Sequence, residues 1–253
     1  MAFLDYHYSS QALGKQTAAY VLLPETGEGP FPVLYLLHGL SDNHTIWLRR
    51  TSIERYVANL GVIVVMPDGG RGFYTDAAEG YAYGKAIGEE LVARIDKTFP
   101  TQASREGRVI AGLSMGGYGS LKFGLKYPEM FSLIGGFSGA LGAAGWTEKN
   151  AGTIAKSMDS VFSPDEASEA RTANDIFRMV REITPEKVRA LPYIFLSCGT
   201  EDSLIKNNQD FVTLLNDKKV PHEYREHPGV HDWAFWDDQV REFLDLAERR
   251  LKK

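Results

Sequence analysis

Val109-Ile110-Ala111-Gly112-Leu113-Ser114-Met115-Gly116-Gly117-Tyr118-Gly119 is an apolar run that ends on a serine set among glycines. Arg108–Leu113 reads as a strand buried on both faces. Gly116 to about Tyr127 reads as a helix stopped by Pro128. The serine therefore falls on the turn between a strand and a helix, as Gly112-Leu113-Ser114-Met115-Gly116, a G-x-S-x-G sequence. Such a turn is tight and brings backbone close on both sides, which is why side chains are excluded at the two outer positions. It lifts the serine oxygen above the sheet and sets free N–H groups at the helix start beside it, where they suit a developing oxyanion. The competing reading, a glycine-rich turn with an incidental serine, leaves the agreement of strand, turn and helix unexplained.

Outward from this point the same rhythm repeats. Val33–Leu37 ends at His38-Gly39, Val62–Met66 at Pro67-Asp68-Gly69-Gly70, and Tyr193–Cys198 at Gly199, and another strand is read near Leu133–Phe137. Between them lie helical patterns: Ile87, Leu91, Ile95 and Phe99 at a spacing of four, then Leu204, Phe211 and Leu215. Trp233, Trp236, Val240, Phe243, Ala247 and Leu251 form the stripe of a last helix, and Thr184-Pro185 reads as a helix N-cap followed by proline. The chain up to about Leu23 alternates like two antiparallel edge strands. Strand and helix in alternation predict an α/β doubly wound fold, with a mostly parallel central sheet of about eight strands and helices on both faces. The chain of 253 residues is read as a single domain, 1–253. Residues 142–191 exceed what a crossover needs and are read as an insertion over the sheet edge that shapes a pocket.

Composition excludes several classes. Apolar residues make up 43% and charged residues 24%, with a net charge of −5. That is a globular balance, not a disordered one. The acidic balance argues against nucleic acid as a partner. No apolar run approaches the ~20 residues of a membrane span. The six histidines show no ligand spacing, so no metal and no cofactor is expected. The lone cysteine, Cys198, ends a buried strand and reads as a small core residue. One cysteine and an N-terminus without a basic-then-apolar leader point to a cytoplasmic protein. A homo-oligomer is left open.

A serine hydroxyl needs a base to become a nucleophile. With such an elbow, an acid and then a histidine follow along the chain. His231 lies on the loop that leaves the alternating segment His222–Glu226, whereas His227 is nearer the strand body and His222 lies at its far end. Glu201 and Asp202 both follow the Tyr193–Cys198 strand and both qualify chemically; Asp202 has the competing reading of a helix N-cap. Gly39 allows a turn that aims the N–H of Leu40 above Ser114, and the N–H of Met115 supplies a second oxyanion donor. His38 is read as a structural histidine bonded to nearby backbone. Trp47, Tyr74 and Trp146 are candidates for the wall of an acyl or alcohol pocket, with ordinary loop packing as the competing reading. Asp68-Gly69-Gly70-Arg71-Gly72 lacks a phosphate-binding fingerprint and is read as a mobile glycine loop near the site.

Leu37-His38-Gly39-Leu40, Gly112–Gly119, Cys198-Gly199-Thr200-Glu201-Asp202 and Gly229-Val230-His231-Asp232-Trp233 together resemble the esterase D family of α/β hydrolases, closest to its bacterial tributyrin esterase branch. Asn43–Trp47 and Gly72–Asp76 resemble that family's loops, and the resemblance spans nearly the whole chain. It implies an α/β-hydrolase fold and a carboxylesterase with Ser114, Asp202 and His231 as catalytic triad. It also implies Leu40 and Met115 as backbone oxyanion donors and a small-molecule ester as substrate. The family also includes S-formylglutathione hydrolases, feruloyl and acetylxylan esterases and mycolyltransferases. A non-catalytic scaffold on this fold is disfavoured, because serine, acid, histidine and elbow glycines all occur in order.

Overall fold

The computed structural model describes residues 1–251, except for the side chains at positions 150 and 153. Eight strands form one sheet: β1 (Ala2–Ser10), β2 (Lys15–Leu23), β3 (Val33–Leu37), β4 (Ile63–Pro67), β5 (Arg108–Leu113), β6 (Leu133–Phe137), β7 (Tyr193–Gly199) and β8 (His222–His227). Their spatial order is β1-β2-β4-β3-β5-β6-β7-β8. β1 pairs antiparallel with β2 and β2 antiparallel with β4; every pairing from β4 to β8 is parallel. The expected edge pair is therefore present, with β1 outermost and β2 joining it to the parallel strands.

The apolar runs are continuous because both faces of the sheet are covered. On β3, Val33, Tyr35 and Leu37 enter one core, while Leu34 and Leu36 enter the other. On β4, Ile63 and Val65 divide from Val64 and Met66 in the same way. Adjacent residues of a strand point to opposite faces, so a run buried at every position needs a helical layer on each side. One layer includes α1 (Met115–Lys126), whose Tyr118, Leu121 and Phe123 join the first core. The other includes the C-terminal helix Trp233–Leu251, whose Trp236, Val240, Phe243 and Ala247 join the second. No described helix is long and apolar enough to cross a membrane.

Before β5 the predicted helix is present but irregular. Tyr83–Lys85 and Val92–Thr98 are α-helical, and Ala86–Leu91 between them is a π-helical turn. The four-residue spacing explains this. In a regular α-helix each four-residue step drifts by about 40°. The wider π turn reduces that drift. Ile87, Leu91 and Ile95 are thereby all buried in one core.

The segment between β6 and β7 folds into short helices. These include Glu148–Lys156, Asp159–Phe162, Glu169–Thr172, α2 (Ile176–Arg181) and Pro185–Ala190. Asp175 and Thr184 cap the last two by accepting the N–H of Arg178 and Lys187. Arg171, buried within the segment, donates to the carbonyls of Ser163, Ala144 and Trp146 at 2.8, 2.9 and 2.8 Å. Tyr118 on α1 donates its hydroxyl to the Asn174 carbonyl at 2.7 Å and ties the segment to the serine-bearing helix.

Candidate active site

The loops leaving β5, β7 and β8 meet at the carboxyl end of the sheet. Ser114 occupies the turn between β5 and α1 with φ 50° and ψ −112°, a conformation disfavoured for a non-glycine residue. Neighbouring backbone holds it there: its N–H donates to the Phe137 carbonyl at 2.9 Å, and its carbonyl accepts the N–H groups of Ala140 and Tyr118, each at 3.0 Å. The glycine following the elbow is required by space, since a Cβ on Gly116 would lie 2.4 Å from the Leu37 carbonyl oxygen.

His231 bridges the other two side chains. Its Nδ1 is 2.8 Å from Oδ2 of Asp202, and its Nε2 is 3.1 Å from Oγ of Ser114. With Nδ1–H donating to the carboxylate, Nε2 keeps its lone pair and accepts from the serine hydroxyl. Asp202 is only 2% exposed, and its other oxygen accepts the Leu204 N–H at 2.8 Å. Burial pushes this carboxyl up, but the His231 ring and the Leu204 N–H outweigh it and hold the group below the usual carboxylate range. It is a charged acceptor at neutral pH. Trp236 meets the His231 ring edge-to-face, with centroids 4.8 Å apart and planes at 88°.

The choice between the two acids follows from these distances. Asp202 reaches the histidine ring, whereas Glu201 is exposed and accepts the Gly229 N–H at 2.7 Å. That hydrogen bond holds the Glu201 carboxyl low. Glu201 thus grips the backbone of the histidine loop. His227 and His222 are elsewhere, 3.3 Å from Glu242 and 2.8 Å from the Val220 carbonyl respectively.

Two further N–H groups lie on segments that border the serine. Met115 is the first residue of α1, so its N–H has no acceptor within the helix. Gly39 passes within van der Waals reach of the serine, since a Cβ on it would lie 3.7 Å from the Ser114 Cβ and 2.6 Å from Leu113 Cδ1. Among the described residues, the next N–H, that of Leu40, meets no protein acceptor. His38 is a structural histidine, as read: its Nδ1–H donates to the Gly39 carbonyl at 2.7 Å, and its Nε2 accepts the Gly69 N–H at 2.8 Å.

Of the three aromatic candidates, Trp47 and Tyr74 follow the packing alternative. Trp47 is 1% exposed, donates Nε1–H to the Leu37 carbonyl at 3.0 Å, and packs on Phe137 and Trp233. Tyr74 is fully buried and donates its hydroxyl to the His38 carbonyl at 2.9 Å. Both are enclosed in the core. Each has a polar atom that bonds a backbone carbonyl, so the whole ring is drawn into the core. Trp146 is half-buried and lines a cavity of about 410 Å³ with Gly142, Asp175, Phe177, Arg181 and Asn207. The glycine loop is packed rather than loose. Its Gly70 N–H donates to Asp68 at 3.0 Å, and Phe73 and Tyr74 are buried at positive φ. The reading by motif missed Trp236 and Lys122, a lysine buried on α1. The one sequence signal for Lys122 is a charge set between the core residues Leu121 and Phe123.

A sheet of this order, with a strained serine elbow joined through a histidine to a buried aspartate, defines an α/β hydrolase. The chain belongs to the Esterase family, whose model matches residues 10–245. It is 32% identical to the acetyl esterase of Caldicellulosiruptor saccharolyticus over 256 residues, covering 95% of this chain and 96% of that one. Among solved structures it resembles the fluorophosphonate-binding serine hydrolase FphF of Staphylococcus aureus, with a TM-score of 0.85, 28% identity and 98% of both chains covered. The S-formylglutathione hydrolase FrmB of the same organism aligns with a TM-score of 0.82, 28% identity and 98% of both chains covered. The protein is a serine esterase, in agreement with the family resemblance carried by its motifs.

Proposed function

We propose that this esterase hydrolyses short-chain acyl esters of small alcohols, as in the tributyrin esterase branch, with Ser114, His231 and Asp202 as its triad. The observation that supports this reading best is His231, within hydrogen-bond distance of both Ser114 and Asp202. Ser114 Oγ attacks the ester carbonyl as its proton passes to His231 Nε2. The carbonyl oxygen becomes an oxyanion held by the N–H groups of Leu40 and Met115, each such donor being worth ~3 kcal/mol. Asp202 holds the ring in the Nδ1–H form and stabilises the imidazolium. The imidazolium protonates the leaving alcohol, and an acyl-serine remains. Water, deprotonated by His231, then attacks the acyl group, and the acid leaves as Ser114 recovers its proton. Trp146, in a cavity formed mostly by the 142–191 segment together with Asn207, is the retained candidate for a pocket wall.

Similarity to FrmB supports a second reading, in which the acyl group arrives as the thioester S-formylglutathione. A p-nitrophenyl ester series from acetate to laurate, run beside S-formylglutathione on wild type and Ser114→Ala, separates the two. Ser114-dependent activity falling steeply beyond butyrate is the expected result. Weak ester cleavage with fast thioester cleavage would replace the first reading with the second.

A further inference from the structure

Lys122 is 2% exposed and lies on α1 beneath the site, where a long charged side chain is rarely enclosed. Its Nζ donates to the Tyr74 carbonyl at 2.6 Å and to Oδ1 of Asn174 at 3.3 Å. Tyr74 in turn is held in an unfavourable backbone state, φ 54°. Its ring sits in a slot between two backbones: a Cβ on Gly69 would lie 2.4 Å from Cε1, and a Cβ on Gly119 would lie 2.4 Å from Cδ2. From this slot the hydroxyl reaches the His38 carbonyl at 2.9 Å. The His38 ring then bonds Gly39 on one side and Gly69 on the other. An unbroken series of contacts therefore runs from a buried lysine to the turn that bears the Leu40 N–H.

We propose that Lys122 and Tyr74 are positioning residues, an internal strut that fixes the 38–40 turn so that the Leu40 N–H is aimed at the transition-state oxyanion. The inference rests on the oxyanion role of Leu40 given above. The strut touches neither substrate nor reacting atoms. It acts through the backbone at both ends: Lys122 secures the Tyr74 carbonyl, and the Tyr74 hydroxyl secures the His38 carbonyl. Oxyanion donors strengthen their grip only as charge develops on the carbonyl oxygen, so loss of aim lowers kcat and leaves KM in place. A misplacement well under 1 Å is enough for a loss of about tenfold. A merely structural role would lower the melting temperature and leave the kcat of the folded enzyme unchanged.

Tyr74→Phe removes one oxygen and leaves the ring in its slot. Its kcat and KM on p-nitrophenyl butyrate are measured together with the affinity of an aliphatic trifluoromethyl ketone, which adds to the serine and mimics the oxyanion. The expected result is kcat down about tenfold, KM within about twofold, and ketone affinity weakened in step with kcat. Lys122→Met is a second variant, read the same way. Unchanged kcat and ketone affinity in either folded variant overturns the strut, as does loss of folding in both, which would make the pair structural. Ser114→Ala is run in parallel. Activity retained there would count against the site itself, whereas an inactive Ser114→Ala beside a fully active Tyr74→Phe counts against the strut alone.

Discussion

The Nε2 of His231 lies 3.1 Å from the Oγ of Ser114, although 117 positions separate the two residues in the chain. Parallel strands bring them together. β5 and β8 both deliver their following loops to the same end of the sheet, and β6 and β7 fill the space between them. Asp202, from the loop after β7, reaches the histidine from the side opposite the serine.

Asp202→Asn is expected to keep the fold and lose about 10³–10⁴ in kcat, because an amide at that position no longer enforces the Nδ1–H tautomer. Circular dichroism and steady-state kinetics on a p-nitrophenyl ester check this. A loss smaller than tenfold would remove Asp202 from the triad.

Gly199 presses on the histidine loop from below. A Cβ on it would lie 2.2 Å from the Gly229 carbonyl oxygen, which is backbone and cannot swing aside. Gly199→Ala is therefore expected to push the loop outward, lowering kcat at least tenfold and the stability by roughly 1–3 kcal/mol. Kinetics and urea melts measure the two effects. Full activity would show that the loop has slack that the packing denies.

Much of this was legible in the sequence, for specific reasons. The strands at Val33–Leu37, Arg108–Leu113 and Leu133–Phe137 have the predicted limits because they are buried on both faces and leave unbroken apolar runs. The elbow was legible because only glycine fits beside it. Less visible was whatever depends on where a polar atom finds its partner. Glu201 and Asp202 are chemically equivalent in sequence, and only the path of the loop gives one the ring and the other the Gly229 N–H. Trp47 and Tyr74 admit a pocket and a packing reading alike in sequence, and each finds a backbone carbonyl inside the core. The π turn at Ala86–Leu91 was written in a four-residue spacing that reads equally as an ordinary helix.

Cys198 is fully buried, and burial pushes its thiol up to about 12, with the nearby Asp202 carboxylate adding to the rise. Almost none of it is thiolate at neutral pH, and the thiolate is the reactive form. N-ethylmaleimide is expected to leave both activity and mass of the native protein unchanged. Rapid inactivation with one adduct on Cys198 would contradict that reading.

Lys122 makes stability depend on pH. Burial pushes its ammonium from an ordinary 10.5 down to about 7, Lys126 adding to the fall and Asp76 opposing it. Between those values the unfolded chain binds a proton that the folded chain does not, so stability rises with pH across that window. Lys122→Met lacks this contribution. The unfolding free energy of wild type relative to the variant should therefore increase from pH 7 to pH 10 in denaturant titrations. A difference that stays flat would mean that the two hydrogen bonds keep the ammonium charged throughout.

The central claim is that Ser114 is the activated nucleophile of this esterase. Its most direct test is stoichiometric labelling with a fluorophosphonate, followed by mass spectrometry of the intact protein and of its peptides. The account predicts one adduct per chain, carried on the peptide that contains Ser114, absent from Ser114→Ala and formed far more slowly in His231→Ala. A well-folded protein that takes up no label, or that carries it on another residue, would contradict the account.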